Sequence, residues 1–276
     1  MNANSDLEQL CQEITRHYLA INTFQFDYLY ITSDLRNLAF NFPNYETKDA
    51  FCRAILKPLF ESGKTLLIPT FSYTTSGIFN TESTATSLGT LSHWILSAQG
   101  VLRSEHPLFS VAALGPGADI VRAVGRAAFG SDSVYDRLNR VNAAYLHIGR
   151  PVSLGNTSIH FVEDQYDVIY RFRKEFSTEV FRGTERCGTG YSAFVRRLDI
   201  PGHTFVTDFT RATVALHNAG ILREVMMRSE SPSNISCFSC CGSAELFLQC
   251  INKDPNFFIG KPFYGTSLFR GRTSSH

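Results

Sequence analysis

Residues 48–69 read KDAFCRAILKPLFESGKTLLIP and predict a helix that leads into a buried strand. Apolar side chains recur at helical spacing over residues 48–60, and Ser62-Gly63 then stops the helix. The run that follows, residues 65–68, is short and apolar and ends at Pro69. A helix followed by a buried strand is the repeating unit of an α/β fold.

The same unit recurs on both sides of this stretch. Upstream, residues 6–20 have helical spacing, and residues 28–32 are aromatic and β-branched, as in a short strand. Downstream, the patterns predict strands at 109–114 and 143–149 and helices at 89–97, 118–127, 208–218 and 243–251. Strands joined by helices pair in parallel and place helices on both faces of the sheet. We therefore expect a three-layer α/β/α body with a mainly parallel central sheet.

The character of the sequence changes after residue 170. Mixed charges and glycines dominate, with a strand-like run at 192–198. We expect a smaller inserted lobe at about 171–205, within a single domain that spans residues 1–276.

Composition excludes several classes of protein. With 43% hydrophobic and 18% charged residues, the 276-residue chain can bury a sizeable core. The 26 basic residues nearly cancel the 25 acidic ones, which argues against a general nucleic-acid binder. No apolar run approaches the roughly 20 residues of a membrane helix, and the N-terminus lacks a secretory pattern. We expect a cytoplasmic protein whose seven cysteines are free thiols.

Polar loops follow the first two predicted strands, at residues 32–35 and 70–73. In α/β sheets, ligands bind at the carboxyl ends of the strands, where such loops meet. A third polar loop, residues 103–111, reads RSEHPLFSV and precedes a predicted strand. Its Arg, Ser and His side chains could bind phosphates or acyl groups, but taken alone a polar loop stiffened by Pro107 is the simpler interpretation.

The stretch NTSIHFVED, residues 156–164, carries the strongest chemical signal. Asn156 is a good helix cap, and a helix that starts there puts Glu163 and Asp164 on the same face as His160. A carboxylate on one ring nitrogen leaves the other nitrogen as a base near neutral pH. A helix-surface ion pair is the simpler interpretation of this spacing alone.

The four blocks KTLLIPTFSY (64–73), RSEHPLFSVAALG (103–115), FGSDSVYDRL (129–138) and NTSIHFVED (156–164) together resemble the aminoglycoside 3-N-acetyltransferase family. YLYITSDLRNL (28–38) and YRFRKEF (170–176) extend the resemblance, which covers roughly residues 25–250. The resemblance implies acetyl coenzyme A (acetyl-CoA) as donor and a primary amine as acceptor.

Position by position, the resemblance implies that His160 is the general base and Glu163 its carboxylate partner. It implies that the coenzyme A channel is lined by Ser33, Asp34, Leu35, Arg103, Ser104, His106, Ser110 and Val111. We assign binding of the acceptor to Thr70, Phe71, Tyr73, Asp164 and Arg171. We expect no metal site. The partners are then coenzyme A and a small amine, and a homodimer is left open.

The chemistry of acetyl transfer agrees with these roles. An alkylammonium group cannot attack a thioester, so a base must remove its proton. Backbone N–H groups at Ser110-Val111 are candidate donors to the tetrahedral oxyanion. Direct transfer in a ternary complex needs no enzyme nucleophile, and nothing beside Cys240 or Cys241 suggests a lowered thiol pKa. The CFSCC run lacks the second half of a zinc site.

The charge balance bears on the acceptor. Aminoglycosides carry several positive charges, and an acidic cleft favours their binding, whereas this chain has a net charge of +1. Basic side chains follow the catalytic block at Arg171, Arg173, Lys174, Arg196 and Arg197. We therefore expect a nucleotide-linked amino sugar as acceptor. The alternatives are an aminoglycoside resistance enzyme and a non-catalytic binding protein that retains the fold.

Overall fold

The computed structural model describes residues 3–227 and 233–261. Within these residues the helices are α1 (Ala3–Ala20), α2 (Arg36–Asn41), α3 (Lys48–Glu61), α4 (Thr90–Leu96), α5 (Val134–Arg140), α6 (Ile159–Tyr166), α7 (Thr210–Asn218) and α8 (Cys240–Lys253). The strands are β1 (Tyr28–Ser33), β2 (Thr65–Pro69), β3 (Ile78–Asn80), β4 (Leu102–Arg103), β5 (Val111–Leu114), β6 (Ala143–Ile148), β7 (Arg171–Phe176), β8 (Glu179–Arg182), β9 (Glu185–Gly188), β10 (Tyr191–Arg196), β11 (Arg223–Met227) and β12 (Ser233–Ser239).

The central sheet has seven strands in the order β11-β12-β6-β1-β2-β5-β4. The middle strand β1 pairs in parallel with both β2 and β6. β5 and β12 pair antiparallel with each of their neighbours, so the other five strands all run in one direction. The carboxyl ends of β6, β1 and β2 therefore lie side by side at one edge of the sheet.

Helices cover both faces of this sheet. On one face, α1, α3 and α4 pack their apolar sides against alternate residues of the middle strands, such as Ile31 and Ile68. On the other face, α5 to α8 pack against the intervening residues, among them Tyr30 and Tyr145. Successive strand residues point to opposite faces, so strands buried on both sides are apolar throughout. The predicted mixed α/β fold is confirmed.

Two small sheets lie outside the central one. β7 pairs antiparallel with β10, and β3, β8 and β9 form the second sheet. Phe79, Val180 and Tyr191 are buried together between these strands. The region expected to form an inserted lobe, residues 171–205, therefore pairs with β3, a strand from the first half of the chain. The single domain over residues 1–276 stays a prediction.

The helix predicted at 118–127 is wrong. A short 3-10 turn spans Ala118–Val121, and Arg122 is already extended. The guanidinium of Arg137 on α5 donates hydrogen bonds to the carbonyls of Ile120, Arg122 and Ala123, which holds this segment open. The described residues contain no helix that is long and apolar enough to cross a membrane.

Candidate active site

A pocket of about 380 Å³ opens at the carboxyl ends of β1, β2 and β6. His160 lines this pocket, which we call the catalytic pocket. Ser33, Phe71 and Tyr73, which the sequence predicts to contact ligands, also lie in its wall. The loops after the first two strands thus meet where the α/β topology predicts.

The segment between β6 and α6 brings His160 to the pocket. Gly149 has a φ of +69°, and a Cβ at this position would collide with the carbonyl of Asp34. Further on, Asn156 Oδ1 accepts a hydrogen bond of 2.8 Å from the backbone N–H of Ser158, an Asx turn that precedes the helix. Asn156 Nδ2 donates to Nε2 of the buried His147 at 3.1 Å. The start of α6 is therefore fixed to the sheet.

His160 and Glu163 form a close pair. The ring Nδ1 lies 2.6 Å from Glu163 Oε2, and the carboxylate is fully buried while the imidazole is 20% exposed. The i,i+3 spacing on α6 produces this contact. When Nδ1 carries the proton and donates it to the carboxylate, Nε2 is left as the basic nitrogen.

Arg171 and Tyr170 also contact the Glu163 carboxylate. Arg171 Nε lies 2.6 Å from Oε2, and the hydroxyl of Tyr170 donates to Oε1 at 2.9 Å. The sequence assigned Arg171 to the acceptor, but its side chain is only 8% exposed and does not line the catalytic pocket. The structure therefore brings Arg171 to Glu163 and not to the pocket.

Burial and charge determine the protonation of this cluster. Burial, followed by the neighbouring Arg171 cation, lowers the pKa of His160, although Glu163 acts in the opposite direction. Burial alone would raise the pKa of Glu163, but Arg171, His160 and Tyr170 outweigh it and the pKa is lowered. Near neutral pH the cluster therefore contains a carboxylate, a guanidinium and a neutral imidazole.

A second pocket, of about 500 Å³, adjoins the first. Ser33, Gly89, Arg150 and Leu154 line both pockets. The wall of the second pocket also contains Asp34 and Leu35, which the sequence assigned to coenzyme A, together with Arg36, Lys48 and the apolar side chains of Ala39, Tyr45 and Phe51. We call it the cationic pocket.

The five residues predicted from the 103–111 loop do not reach either pocket. Arg103 is buried and donates to Ser110 Oγ at 3.1 Å and to the carbonyl of Thr70 at 2.6 Å. His106 is buried as well, and its Nε2 lies 3.0 Å from the carbonyl of Ser192. These side chains tie the β4–β5 loop to its neighbours.

The backbone donor suggested for the oxyanion is also engaged. The N–H of Val111 donates to Ser104 Oγ at 2.9 Å.

Two of the residues predicted to contact the acceptor lie away from the catalytic pocket. Thr70 and Asp164 are buried and lie outside the pocket lining, and Asp164 pairs with Arg173 at 2.6 Å.

Sequence reasoning missed several residues of the two pockets. Arg150 comes directly after Gly149 at the end of β6, so the rule that places sites at carboxyl ends of strands would have found it. Asn156 was read only as a cap, although it also lines the catalytic pocket. Phe209 gave no signal, because it comes to the pocket from the distant start of α7.

The cysteines show no sign of an activated thiol. Burial raises the pKa of Cys240 well above its usual value, and a hydrogen bond to Glu245 is the main cause that raises the pKa of Cys241. Within residues 3–227 and 233–261, no group of three or more His, Cys, Asp or Glu side chains is arranged to hold a metal ion.

Comparison with known proteins gives the family. The family model described as aminoglycoside 3-N-acetyltransferase matches residues 31–241. No curated protein matches the chain at a significant level of sequence similarity.

Three similar solved structures support the assignment of the fold. Aminoglycoside acetyltransferase AAC(3)-IVa, as apoenzyme, is 18% identical, with 91% of this chain and 92% of that chain covered and a TM-score of 0.68. AAC(3)-Xa is 17% identical, with 90% and 96% covered and a TM-score of 0.68. The YokD protein from Bacillus subtilis is 16% identical, with 88% and 99% covered and a TM-score of 0.66. The match spans well over half of the chain, which therefore belongs to the aminoglycoside 3-N-acetyltransferase family and is an N-acetyltransferase.

Proposed function

We propose that this chain transfers the acetyl group of acetyl-CoA to a primary amine of an aminoglycoside, with His160 as the general base. The observation that carries the proposal is the pair of His160 and the buried Glu163, 2.6 Å apart, in the wall of a pocket at the carboxyl edge of the sheet. Acetyl-CoA supplies the activated acetyl group.

The chain's own residues supply the proton chemistry. Nε2 of His160 accepts a proton from the ammonium group, so that the amine nitrogen can attack the thioester carbonyl. The new C–N bond replaces the C–S bond. The nitrogen of the tetrahedral intermediate loses its second proton as the thiolate of coenzyme A leaves, and the thiolate takes up one proton, so that the products are the amide, coenzyme A and one proton released to solvent. Glu163 stabilises the imidazolium that forms on His160, in the same way that a buried carboxylate supports a catalytic histidine elsewhere.

The cationic pocket fits the nucleotide end of coenzyme A. Lys48 and Arg150 line it, together with Arg36, whose guanidinium pairs with Asp34 in the same wall at 2.5 Å. Positively charged side chains are suited to phosphate groups. Arg150 Nε is buried and has no hydrogen-bond partner within the described residues. Since the two pockets share four residues, a long ligand bound in the cationic pocket can extend its thioester end toward His160.

The choice of an aminoglycoside rests on the family, whose description names this class of acceptor. The basic residues that pointed to a nucleotide-linked sugar support that acceptor less than their number suggests. Arg171 and Arg173 pair with Glu163 and Asp164, and Arg196 donates to the carbonyl of Phe205. Their charges are used inside the protein.

A nucleotide-linked amino sugar is the second candidate, because of the charge of the catalytic pocket. Among the described residues its lining contains Arg150 and no Asp or Glu. A polycationic acceptor gains nothing from a cation in its pocket, whereas a phosphate group does.

Acetylation rates with matched panels of acceptors test the two candidates. One panel contains aminoglycosides such as gentamicin and kanamycin, and the other contains amino sugars linked to nucleoside diphosphates. We expect the larger kcat/KM with an aminoglycoside. Turnover confined to the nucleotide-linked sugars would contradict the first candidate and favour the second.

Replacement of His160 tests the general base. We expect His160→Ala to lower kcat by at least about 100-fold, the smallest contribution that a general base normally makes. Binding of coenzyme A, measured by calorimetry, should stay close to the wild-type value. His217→Ala is the matched control, since His217 is half-exposed on α7 and pairs with Glu224. Retention of a tenth of the wild-type turnover by His160→Ala would show that the assignment is wrong.

A further inference from the structure

We propose that Arg171 and Tyr170 are positioning residues, which hold the Glu163 carboxylate and through it the orientation and charge state of His160. The inference rests on the proposed function, because it treats His160 as the general base. It gives Arg171 a role that differs from contact with the acceptor.

The fold delivers these two residues to Glu163 by a tight turn. Helix α6 ends at Tyr166, and the next residue, Asp167, has a left-handed conformation with φ of 56°. The N–H of Val168 then returns to the carbonyl of Glu163 at 3.2 Å. Tyr170 and Arg171 follow directly, so the end of α6 and the start of β7 close around the carboxylate.

The guanidinium of Arg171 is fixed on its other side as well. Nη1 donates to the carbonyl of Phe194 on β10 at 3.1 Å, while Nε lies 2.6 Å from Glu163. The pairing of β7 with β10 thus fixes the position of the Arg171 guanidinium. Tyr170 is also buried, and its ring stacks on Phe205 at 5.6 Å between centroids.

The next arginine on the same strand provides a natural contrast. Arg173 pairs with Asp164, the residue next to Glu163, at the same distance of 2.6 Å, but its side chain is 49% exposed. Solvent screens an exposed pair strongly and a buried pair much less. Arg171 therefore acts on His160 through a buried route, which Arg173 lacks.

The groups that face His160 come from several elements. Glu163 lies on α6 itself, and Arg171 approaches from β7. Arg150, from the loop after β6, lines the same pocket. The neutral ring of Phe129 lies edge-on at 5.4 Å between centroids. Arg171 is thus the cation that shares the same carboxylate oxygen as the imidazole.

The pH dependence of catalysis tests this arrangement. The variants are Arg171→Met, which removes the charge, Arg171→Lys, which keeps it, and Arg173→Met as the matched control. Loss of the cation should raise the pKa of His160, so the acidic limb of kcat/KM should move to higher pH by about one unit. In Arg171→Lys we expect the acidic limb to lie close to its wild-type pH. In Arg173→Met we expect the limb to stay at its wild-type pH.

A titration that does not depend on activity separates this proposal from the proposed function. The imidazole signals of protein labelled with ¹³C-histidine report the pKa of His160 directly, and His160→Asn identifies its signal. A rise in that pKa in Arg171→Met supports the positioning role even if no acceptor is turned over. Equal pKa values in Arg171→Met and Arg173→Met would overturn it. Tyr170→Phe, which removes only the hydroxyl, should give a smaller rise.

Discussion

Glu163 and Asp164 are consecutive carboxylates, each paired with an arginine of β7 at 2.6 Å. The environments of the two arginines differ, since Arg171 is 8% exposed and Arg173 is 49% exposed. Removal of one partner from a buried pair leaves an uncompensated charge away from water, whereas an exposed partner is solvated again.

Neutral variants of the two acids should therefore differ in stability. We expect Glu163→Gln to lower the free energy of unfolding by about 3 kcal/mol, because Arg171 stays buried without a counter-ion. Asp164→Asn should cost about 1 kcal/mol, since water reaches Arg173. Urea unfolding of both variants measures the difference. Equal losses of unfolding free energy in the two variants would show that the burial of Arg171 does not add to the cost of removing its partner.

The sequence could predict the pair of His160 and Glu163, because both lie on one helix and their spacing fixes their distance. It could not predict the position of Arg171. Arg171 and Arg173 lie on one face of β7 and Phe172 lies on the other, so the side chains that point inward are known only when the face covered by α6 is known. The acceptor role assigned to Arg171 came from that missing information.

The segment between β6 and α6 is the element that holds the site to the sheet. Asn156 provides its two side-chain hydrogen bonds, one to the N–H of Ser158 and one to His147 Nε2. Both bonds are buried, so neither partner can find water if the amide is lost.

Removal of the Asn156 amide should affect stability and activity together. We expect Asn156→Ala to cost about 1–2 kcal/mol in the free energy of unfolding. kcat should fall as well, because His160 lies in the first turn of the helix that follows this Asx turn. Asn44→Ala is the control, since Asn44 makes exposed contacts with Asp6 and lines neither pocket. Thermal melts and initial rates measure both effects, and a loss as small as that of the control would contradict the expectation.

At the scale of elements, regular apolar runs were predictable and the connections were not. The strands at β1, β2 and β6 and the helix α3 follow from local patterns. The end of the 118–127 pattern at Val121 depends on Arg137, a residue of α5 that no local rule connects to it. The strands β7 to β9 have mixed charges, because they form small sheets with exposed faces.

At the scale of the whole molecule, buried histidines determine the response to acid. Burial lowers the pKa of His106 to about 4 and that of His147 to about 3, and it also lowers the pKa of His160. The unfolded chain takes up these protons near pH 6.5, before the folded chain does. The stability that these histidines contribute is therefore fully present above about pH 6.5 and is lost as the pH decreases toward their folded pKa values.

We expect the free energy of unfolding to fall between about pH 6.5 and pH 4, with each of the two histidines His106 and His147 contributing up to about 1.4 kcal/mol per pH unit. Urea unfolding at several pH values measures the slope. His106→Gln should make the slope shallower. A slope unchanged by His106→Gln would mean that His106 does not remain neutral in the folded chain.

The net charge of +1 does not by itself indicate the acceptor. A sum over all residues does not distinguish charges that line a pocket from charges that join elements of the fold. Arg171 and Arg173 link β7 to α6, and Arg182 reaches Glu105 at 2.5 Å. Only the location of each charge indicates what a ligand meets.

The pairing of β3 with β8 has a consequence for how the chain can be rearranged. Ile78 lies opposite Glu179, so this sheet joins two segments that are about one hundred residues apart, and its formation has to offset the entropy of closing a long loop. Residues 171–205 alone lack β3 and the buried ring of Phe79. That region cannot be transplanted to another scaffold as a self-contained module, and its deletion would leave β3 without its neighbour.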